Sequence, residues 1–438
     1  MALPSRTGYA GVLVVNTSAG GFTSDSRCGL EEAVNALESQ TSKWGCVWSG
    51  SPGNLDTIIL PRPNSNSNPK IGDFTVNSTL TITHSVDFMT NQGGRLVTIK
   101  HPVAGSLFSV STSSPITVNL KDLHLIGPGK ASSLTAAGIA GEGNAVPGGT
   151  IIVKQCWIEQ FSESAIVIAN MSLTVVDSTL ENNFNMTGDG GGAIFYETTD
   201  SAANRFDFLN ITNSSINRNR STKGGGLQIQ SNSLTRIVNS TISDNLTVNG
   251  RGGGISFGNA DGTLLGGDLE IIGSTVAFNG STVNNGAGIS NSELSGNENS
   301  IILSGSIVAN NCLATVVDNN SFKCKSGNST RDFLGVLHLL SDSLLGSTAN
   351  TTITYEDGVT FTNRSSGLST SLSDQGGAGE HHPPVHELNN GSICIDATDF
   401  LQVEDEPIDQ AHKARNFDHT PSSGTVVIDF GAVERRRN

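Results

Sequence analysis

DSTLENN (Asp177 to Asn183) returns down the middle of the chain as NSSINRN (Asn213 to Asn219), NSTISDN (Asn239 to Asn245), GSTVAFN (Gly273 to Asn279) and SGSIVAN (Ser304 to Asn310). In each copy an apolar residue stands three before an asparagine: Leu180/Asn183, Ile216/Asn219, Ile242/Asn245, Val276/Asn279 and Ile307/Asn310. Four copies run on into glycine clusters, GDGGGAI, KGGGLQI, RGGGISF and NNGAGIS. Self-similarity at a period of roughly 25 to 36 residues marks a solenoid. Within each copy small, hydroxyl and apolar side chains alternate, which is the period of a strand with one buried face. Triple glycines suit a backbone that turns with positive φ or passes close to its neighbour. An asparagine at a fixed place in every coil can stack its amide on the next amide, ~4.8 Å along the axis. The ladder expected is therefore Asn183, Asn219, Asn245, Asn279 and Asn310. A disordered Ser/Asn/Gly-rich tract has no reason for fixed apolar spacing. The fold expected is all-β, a parallel β-helix.

Working outward, composition agrees with a coil stacked on small residues: aromatics make up 5%, charged residues 15%, and there are 51 glycines. Solenoids lengthen by adding rungs, so 438 residues do not require several cores. A net charge of −15 argues against nucleic acid or an anionic membrane as partner, because phosphate binding needs basic stripes. No uninterrupted apolar run is long enough to span a bilayer. The opening MALPSRTGYAG is too polar for a signal peptide, so a secretion signal is expected to have been removed or to lie outside this sequence.

Cysteines and sequons speak about compartment. Cys28 and Cys46 are close in sequence, as are Cys312 and Cys324, so each pair can close a short loop, although sequence leaves the connectivity open. Two local disulfides, Cys28–Cys46 and Cys312–Cys324, fit an oxidising, extracellular setting. Cys156 and Cys394 stand in apolar strand-like contexts and are expected as buried thiols. No C-x-x-C occurs, which disfavours metal binding by these residues. Fifteen N-x-[ST] sites are present, among them Asn16, Asn77, Asn170, Asn185, Asn210, Asn239, Asn328, Asn350, Asn363 and Asn390. A host that glycosylates would sugar this surface heavily. Asn219, Asn245 and Asn279 are sequons too, but their ladder positions would leave them buried and bare.

The two ends carry a resemblance. The stretch CGLEEAVNA (Cys28 to Ala36) reads as a short amphipathic helix, with Leu30, Val34 and Leu37 on one face and Asp25 or Ser26 as candidate N-cap. It resembles the CSLREA motif that opens many secreted bacterial right-handed β-helix proteins, with a LVVNT strand before it and a DTIILP strand after it. The departures are Gly29 for serine and EEA for REA. At the other end, His381 to Asp399, Asp409 to Asp418 and Val427 to Glu434 resemble the terminal segment of choice-of-anchor β-helix proteins. His386, Leu388, Ile395, Asp396, Asp409, Gln410, Arg415, Asp429, Gly431, Ala432 and Glu434 fall on that pattern, while Cys394 replaces an alanine. The resemblance implies a right-handed coil and extracellular display. It also places His386, Asp396, Asp409 and Arg415 in a folding cap, which outweighs reading His381, His382 and His386 as a metal or hydrolase site. The organisation expected is an N-terminal arm and capping helix over 1–72, coils over 73–311, and C-terminal strands and cap over 312–438.

Chemistry on a β-helix would project from neighbouring rungs. One step before the inward anchors stand His124, Trp157, Thr179, Ser215, Thr241, Thr275 and Ser306; one step after stand Ile126, Glu159, Glu181, Asn217, Ser243, Ala277 and Val308. Most of this face is small and hydroxylic. Trp157, Glu159 and Glu181, with His124 on an earlier rung, are the exception. Two glutamates on successive rungs sit about 5 Å apart, the carboxylate separation of a retaining glycosidase, and a tryptophan beside them could stack on a sugar ring. Glu159 and Glu181 are the catalytic candidates, and Trp157 and His124 the ligand-binding ones. Arg218 and Asp244, at equivalent places on neighbouring rungs, are expected as a surface ion pair worth little. Stacked aspartates for a lyase-type calcium site are missing, since Asp177, Asp207, Asp244 and Asp268 share no column. GDGGG at 188–192 resembles a single calcium-binding glycine turn without its nonapeptide repeat. No cofactor is expected, with calcium the weak exception. The function read from the sequence is a secreted or cell-surface β-helix with a structural or adhesive role, partnered by itself, by other surface proteins or by polysaccharide. The rival is a lyase, a glycosidase or a glycan-binding adhesin built on Trp157.

Overall fold

A computed structural model describes residues 10–389 apart from 19–20, 23–25, 51–53, 62–72, 92–95, 130–132, 144–147, 187, 189, 199–206, 259–266, 284–285, 292–300, 319–320, 326–331, 340–342, 347–350, 356–360, 363–366 and 374–382; beyond these it describes 392, 394, 409–410 and 431–432. The chain is a right-handed parallel β-helix whose rungs have three long faces, with a further six-stranded sheet, starting at Phe184–Asn185, between the second and the third. On one turn the strands Ser172–Val176, Thr179–Glu181 and Ile194–Glu197 lie on the first, second and third faces in that order. Each pairs in parallel with the matching strand a turn later, Leu209–Thr212, Ser215–Asn217 and Leu227–Gln230. The second face is an 11-stranded sheet; the first and third are joined into a 20-stranded one by the long strand Phe333–Leu339, which serves both. Parallel pairing runs from Val12 to Thr362, so the coil passes both boundaries expected at 72 and 311.

The repeat phrase is one corner-to-corner unit of the rung. Its first residue, at Asp177, Asn213, Asn239, Gly273 and Gly305, has φ between +48° and +54°, and its sixth, at Asn182, Arg218, Asp244, Phe278 and Asn310, between +54° and +62°. These left-handed corners suit Asn and Asp, whose short polar side chains tolerate αL, and Gly, which has no Cβ; Arg218 and Phe278 adopt the same conformation. Between the corners lies a three-residue strand whose middle residue points inward: Leu180, Ile216, Ile242, Val276 and Val308 are all fully buried.

Two polar columns run up the corners. Asn183, Asn219, Asn245 and Asn279 each donate from Nδ2 to Oδ1 of the next, at 3.0, 3.0, 3.0 and 2.9 Å, the last acceptor being Asn311. Asn311 in turn donates to Asp332 Oδ1 at 2.8 Å. The expected fifth ladder residue is corrected from Asn310 to Asn311. The phrase's true copy there is Gly305 to Asn311, because Ala277 pairs with Ala309 and Val276 with Val308. Asn310 is the left-handed corner, and the outward neighbours of Val308 are Ile307 and Ala309 rather than Ser306 and Val308. IVANN offers two apolar residues and two asparagines, so sequence alone allowed a slip of one. The second column is serine. Ser178, Ser214, Ser240, Ser274 and Ser306 are fully buried, and each accepts from the preceding rung's amide. The glycines pack against the ladder. A Cβ on Gly254 would lie 2.7 Å from Gly288 O and 2.9 Å from Asn279 Nδ2.

At the N-terminal end the helix Leu30–Glu38 lays Leu30, Ala33, Val34 and Leu37 on the first rungs, covering strand edges that would otherwise pair with another chain. Its N-cap is Gly29, not Ser26, and Asp25 lies outside the described residues; Glu32 Oε2 takes the Gly29 N–H at 2.8 Å. Disulfides Cys28–Cys46 and Cys312–Cys324 are formed, and Cys156 and Cys394 are buried thiols. The described C-terminal residues lie along the flank of the coil, against the outward side of the second face. Gln410 Oε1 accepts from Thr241 Oγ1 at 2.7 Å, Ala432 N donates to Thr275 Oγ1 at 3.2 Å, and Gly431 N donates to Gly305 O at 2.9 Å. Leu368, Leu388 and Cys394 pack there with Ala277, Ile307, Ala309 and Leu344.

Candidate functional site

The second face brings His124, Trp157, Glu159 and Glu181 together by strand register alone. Trp157 pairs with His124 on one side and Thr179 on the other, while Glu159 pairs with Ile126 and Glu181. Equal register on parallel neighbours stacks the two rings, with centroids 4.5 Å apart and planes 12° apart. His124 Nε2 lies 2.8 Å from Glu159 Oε1. Glu181 Oε2 is 3.5 Å from Nη1 of Arg218, which comes from the corner of the next rung. Arg218 is thus the ion-pair partner of Glu181, in place of the Arg218–Asp244 pair expected from sequence.

This cluster is substantially closed. Side-chain exposure is 17% for His124 and 12% for Glu159 and for Glu181, against 51% for Arg218. Burial raises the Glu181 carboxyl above the ordinary range; the Arg218 guanidinium opposes this, Glu159 adds to it, and the Trp157 indole and His124 pull it back. A carboxyl raised above its ordinary range beside a second carboxylate is one element of an acid–base pair. Here, however, the second carboxylate is taken by His124 and neither is open to a chain-like substrate. A cleft of about 210 Å³, lined by Phe22, Glu31, Val34 and Glu38 among others, sits between the N-terminal helix and the strand Leu80–Ile82, away from this cluster.

Beyond Glu181 the same outward face is shut. Ser215, Asn217, Thr241, Ser243 and Thr275 are buried. His386, assigned to a cap by its sequence pattern, sits in this flank: Nδ1 is 2.8 Å from Ser369 O, Nε2 is 4.0 Å from Asp244 Oδ2, and its ring lies 4.7 Å from that of Phe278. Burial lowers the imidazole to about 4, and burial lifts Asp244 to about 6 against the pull of Arg218. His381, His382, Asp396, Arg415, and Asp189 of the glycine turn lie outside the described residues.

The sequons divide by burial. Asn16 and Asn77 are exposed, and Asn170 and Asn210 partly so. Asn185 and Asn239 are 3% and 1% exposed, so the folded chain has no room for a glycan on either, which corrects both as candidates. Asn328, Asn350, Asn363 and Asn390 lie outside the described residues. Sequence reasoning missed the serine column and the flank contacts. The invariant second serine of the phrase was the available signal for the first; no local signal exists for the second.

No family model matches the chain, and no curated protein matches it. Among solved structures it is similar to the crystal structure of pectate lyase Pel9A, at 15% identity and a TM-score of 0.37, over 88% of this chain and 98% of that one. A likeness of that size bears on neither the activity nor the substrate of this chain.

Proposed function

We propose that this chain is a secreted or surface-displayed β-helix with a structural and adhesive role, opened by a CSLREA-type module and closed by a choice-of-anchor-type segment. One observation carries the reading: described residues of the C-terminal segment bond to and pack on the outward side of the second sheet between Thr241 and Leu344, and in the charged cluster bordering them the mostly buried His124, Glu159 and Glu181 side chains are internally paired, with half-exposed Arg218 on Glu181. A substrate would have to displace both. Two local disulfides support an oxidising compartment. Partners on this reading are further copies or other surface proteins.

A second reading, a glycosidase or lyase, is favoured by the raised Glu181 carboxyl beside Glu159. Turnover assays on neutral and acidic polysaccharides, comparing wild type with a Glu159→Gln/Glu181→Gln double variant, separate the two. No turnover by either protein is expected. Hydrolysis or elimination by wild type that vanishes in the double variant would overturn the structural reading. Glycan-array binding that is lost in Trp157→Ala would narrow it to a lectin-like adhesin.

A further inference from the structure

We propose that the cleft between the N-terminal helix and the strand Leu80–Ile82 binds one neutral sugar residue, the end of a partner's glycan. The proposal rests on the adhesive reading above and gives it a ligand. Leu80–Ile82 is the first strand of the third face, and among the described residues it pairs with Phe108–Thr112 alone. Leu80 N donates to Leu107 O at 2.8 Å, so Leu80 and Ile82 turn their backbone groups toward that neighbour. Thr81 turns its N–H and C=O the other way, toward the cleft, and neither has a partner among the described residues. The edge is capped on both sides of it. Glu31 Oε1 accepts from Asn77 N at 3.3 Å and from Ser78 Oγ at 2.9 Å, and Glu38 Oε1 accepts from Thr83 N at 3.1 Å. The helix thus closes the edge at Asn77 and Thr83 and leaves it open between them.

Size and chemistry choose the ligand. About 210 Å³ is below the ~300–1,000 Å³ of sites for drug-sized molecules, so the cleft suits one ring rather than a chain. An added peptide strand needs a run of free N–H and C=O groups, which the capped edge does not offer. Thr81 presents one donor and one acceptor, and the Asn35 amide on the helix wall adds further ones. Sugar hydroxyls both donate and accept, and match such groups. At the rim Phe22, 54% exposed and packed on Trp44 with ring centroids 5.0 Å apart, offers an apolar surface to a pyranose face. Glu31 and Glu38 are engaged by the edge, by Gly21 N and by His84, so they do not call for a cation, but their charge disfavours an acidic sugar.

Saturation-transfer NMR and titration with methyl β-glucopyranoside, methyl β-galactopyranoside and methyl α-mannopyranoside test the site, with galacturonate as the anionic control. At least one neutral glycoside should bind the unmodified protein with a dissociation constant on the order of 1 mM, and galacturonate about 10-fold more weakly or worse. Phe22→Ala should weaken the neutral sugar about 10-fold. Thr81→Pro removes the open N–H on an edge strand, where proline is tolerated, and should weaken it by about as much. If Thr81→Pro does not fold, Phe22→Ala alone decides. Binding unchanged in Phe22→Ala but lost in Trp157→Ala would overturn the cleft and uphold the adhesive reading. Failure of all three glycosides to bind wild type, or tighter binding of galacturonate, would overturn the neutral-sugar ligand, while the non-catalytic reading still answers to the turnover assay.

Discussion

Inside the corners of the coil the repeat phrase's buried polar side chains meet their own kind one rung away: Asn219 Nδ2 finds Asn245 Oδ1 at 3.0 Å, and Ser240 Oγ takes the Ser214 amide at 3.1 Å. Between the coil and its C-terminal segment, side chains just as dry are left with orphaned atoms at Asn217, Ser243, Gln410 and His386. The difference is one of symmetry. A stacked repeat presents every donor with a copy of its own acceptor at the rung spacing, so one geometry satisfies the whole column. A segment of unrelated sequence laid across the flank has no such translation to exploit and must match by chance of composition. Repetition therefore satisfies the asparagine and serine columns in full, whereas the flank, like the coil positions Gln228, Thr235, Thr247 and Ser290, keeps orphaned atoms.

The ladder should break hardest. Asn245→Leu removes the acceptor for both the Asn219 amide and Asn219 Nδ2 and the donor to Ile216 O, and should cost about 4 kcal/mol in denaturant unfolding. A loss under about 1 kcal/mol would show the ladder to be ornament.

At the flank the expected signature is in pH. His386, pushed down to about 4 from 6.5, contributes stability that is present above pH 6.5 and lost as pH falls toward 4. Asp244, raised from 3.8 to about 6, works the other way: docking gains as pH falls from 6 toward 3.8. The docked pair holds one proton on Asp244 and the released pair holds it on His386, so wild type should be nearly level across this window. Asp244→Asn leaves the histidine alone, and relative to wild type its stability should drop by about 3 kcal/mol between pH 7 and pH 4. His386→Phe should do the reverse, gaining stability on acidification. Parallel pH profiles for all three proteins would refute the assignment.

Smaller effects sharpen the same contrast. Gly254→Ala drives a methyl group into Gly288 O and Asn279 Nδ2 and should lower stability by about 2 kcal/mol, whereas alanine at exposed Phe22 should be within measurement error. Ser240→Ala, which loses the acceptor of one buried amide, should cost about 1 kcal/mol. A Ser240→Ala cost equal to that of Asn245→Leu would mean that the two columns are not ranked by the number of bonds each member makes.

Much of the coil was legible because its cause is local. Alternation within DSTLENN and NSTISDN dictates a strand between two corners, and the recurring asparagine dictates what stacks there. Register then placed Glu159 beside Glu181 and Trp157 beside His124 without any knowledge of the rest. Legibility failed at IVANN, where two registers satisfy the same local pattern and only pairing with Val276 and Ala277 chooses between them.

The amino-acid order by itself determined the parallel β-helix, its apolar interior and, outside IVANN, which side chains look outward, since a period-two pattern and a repeated corner act over a few residues. Only the tertiary structure decided whether those outward side chains meet water. Gln410 reaches Thr241 and Ala432 reaches Thr275 across 169 and 157 residues of chain. Contacts of that separation depend on where the finished coil carries each surface, and no short window of sequence encodes that.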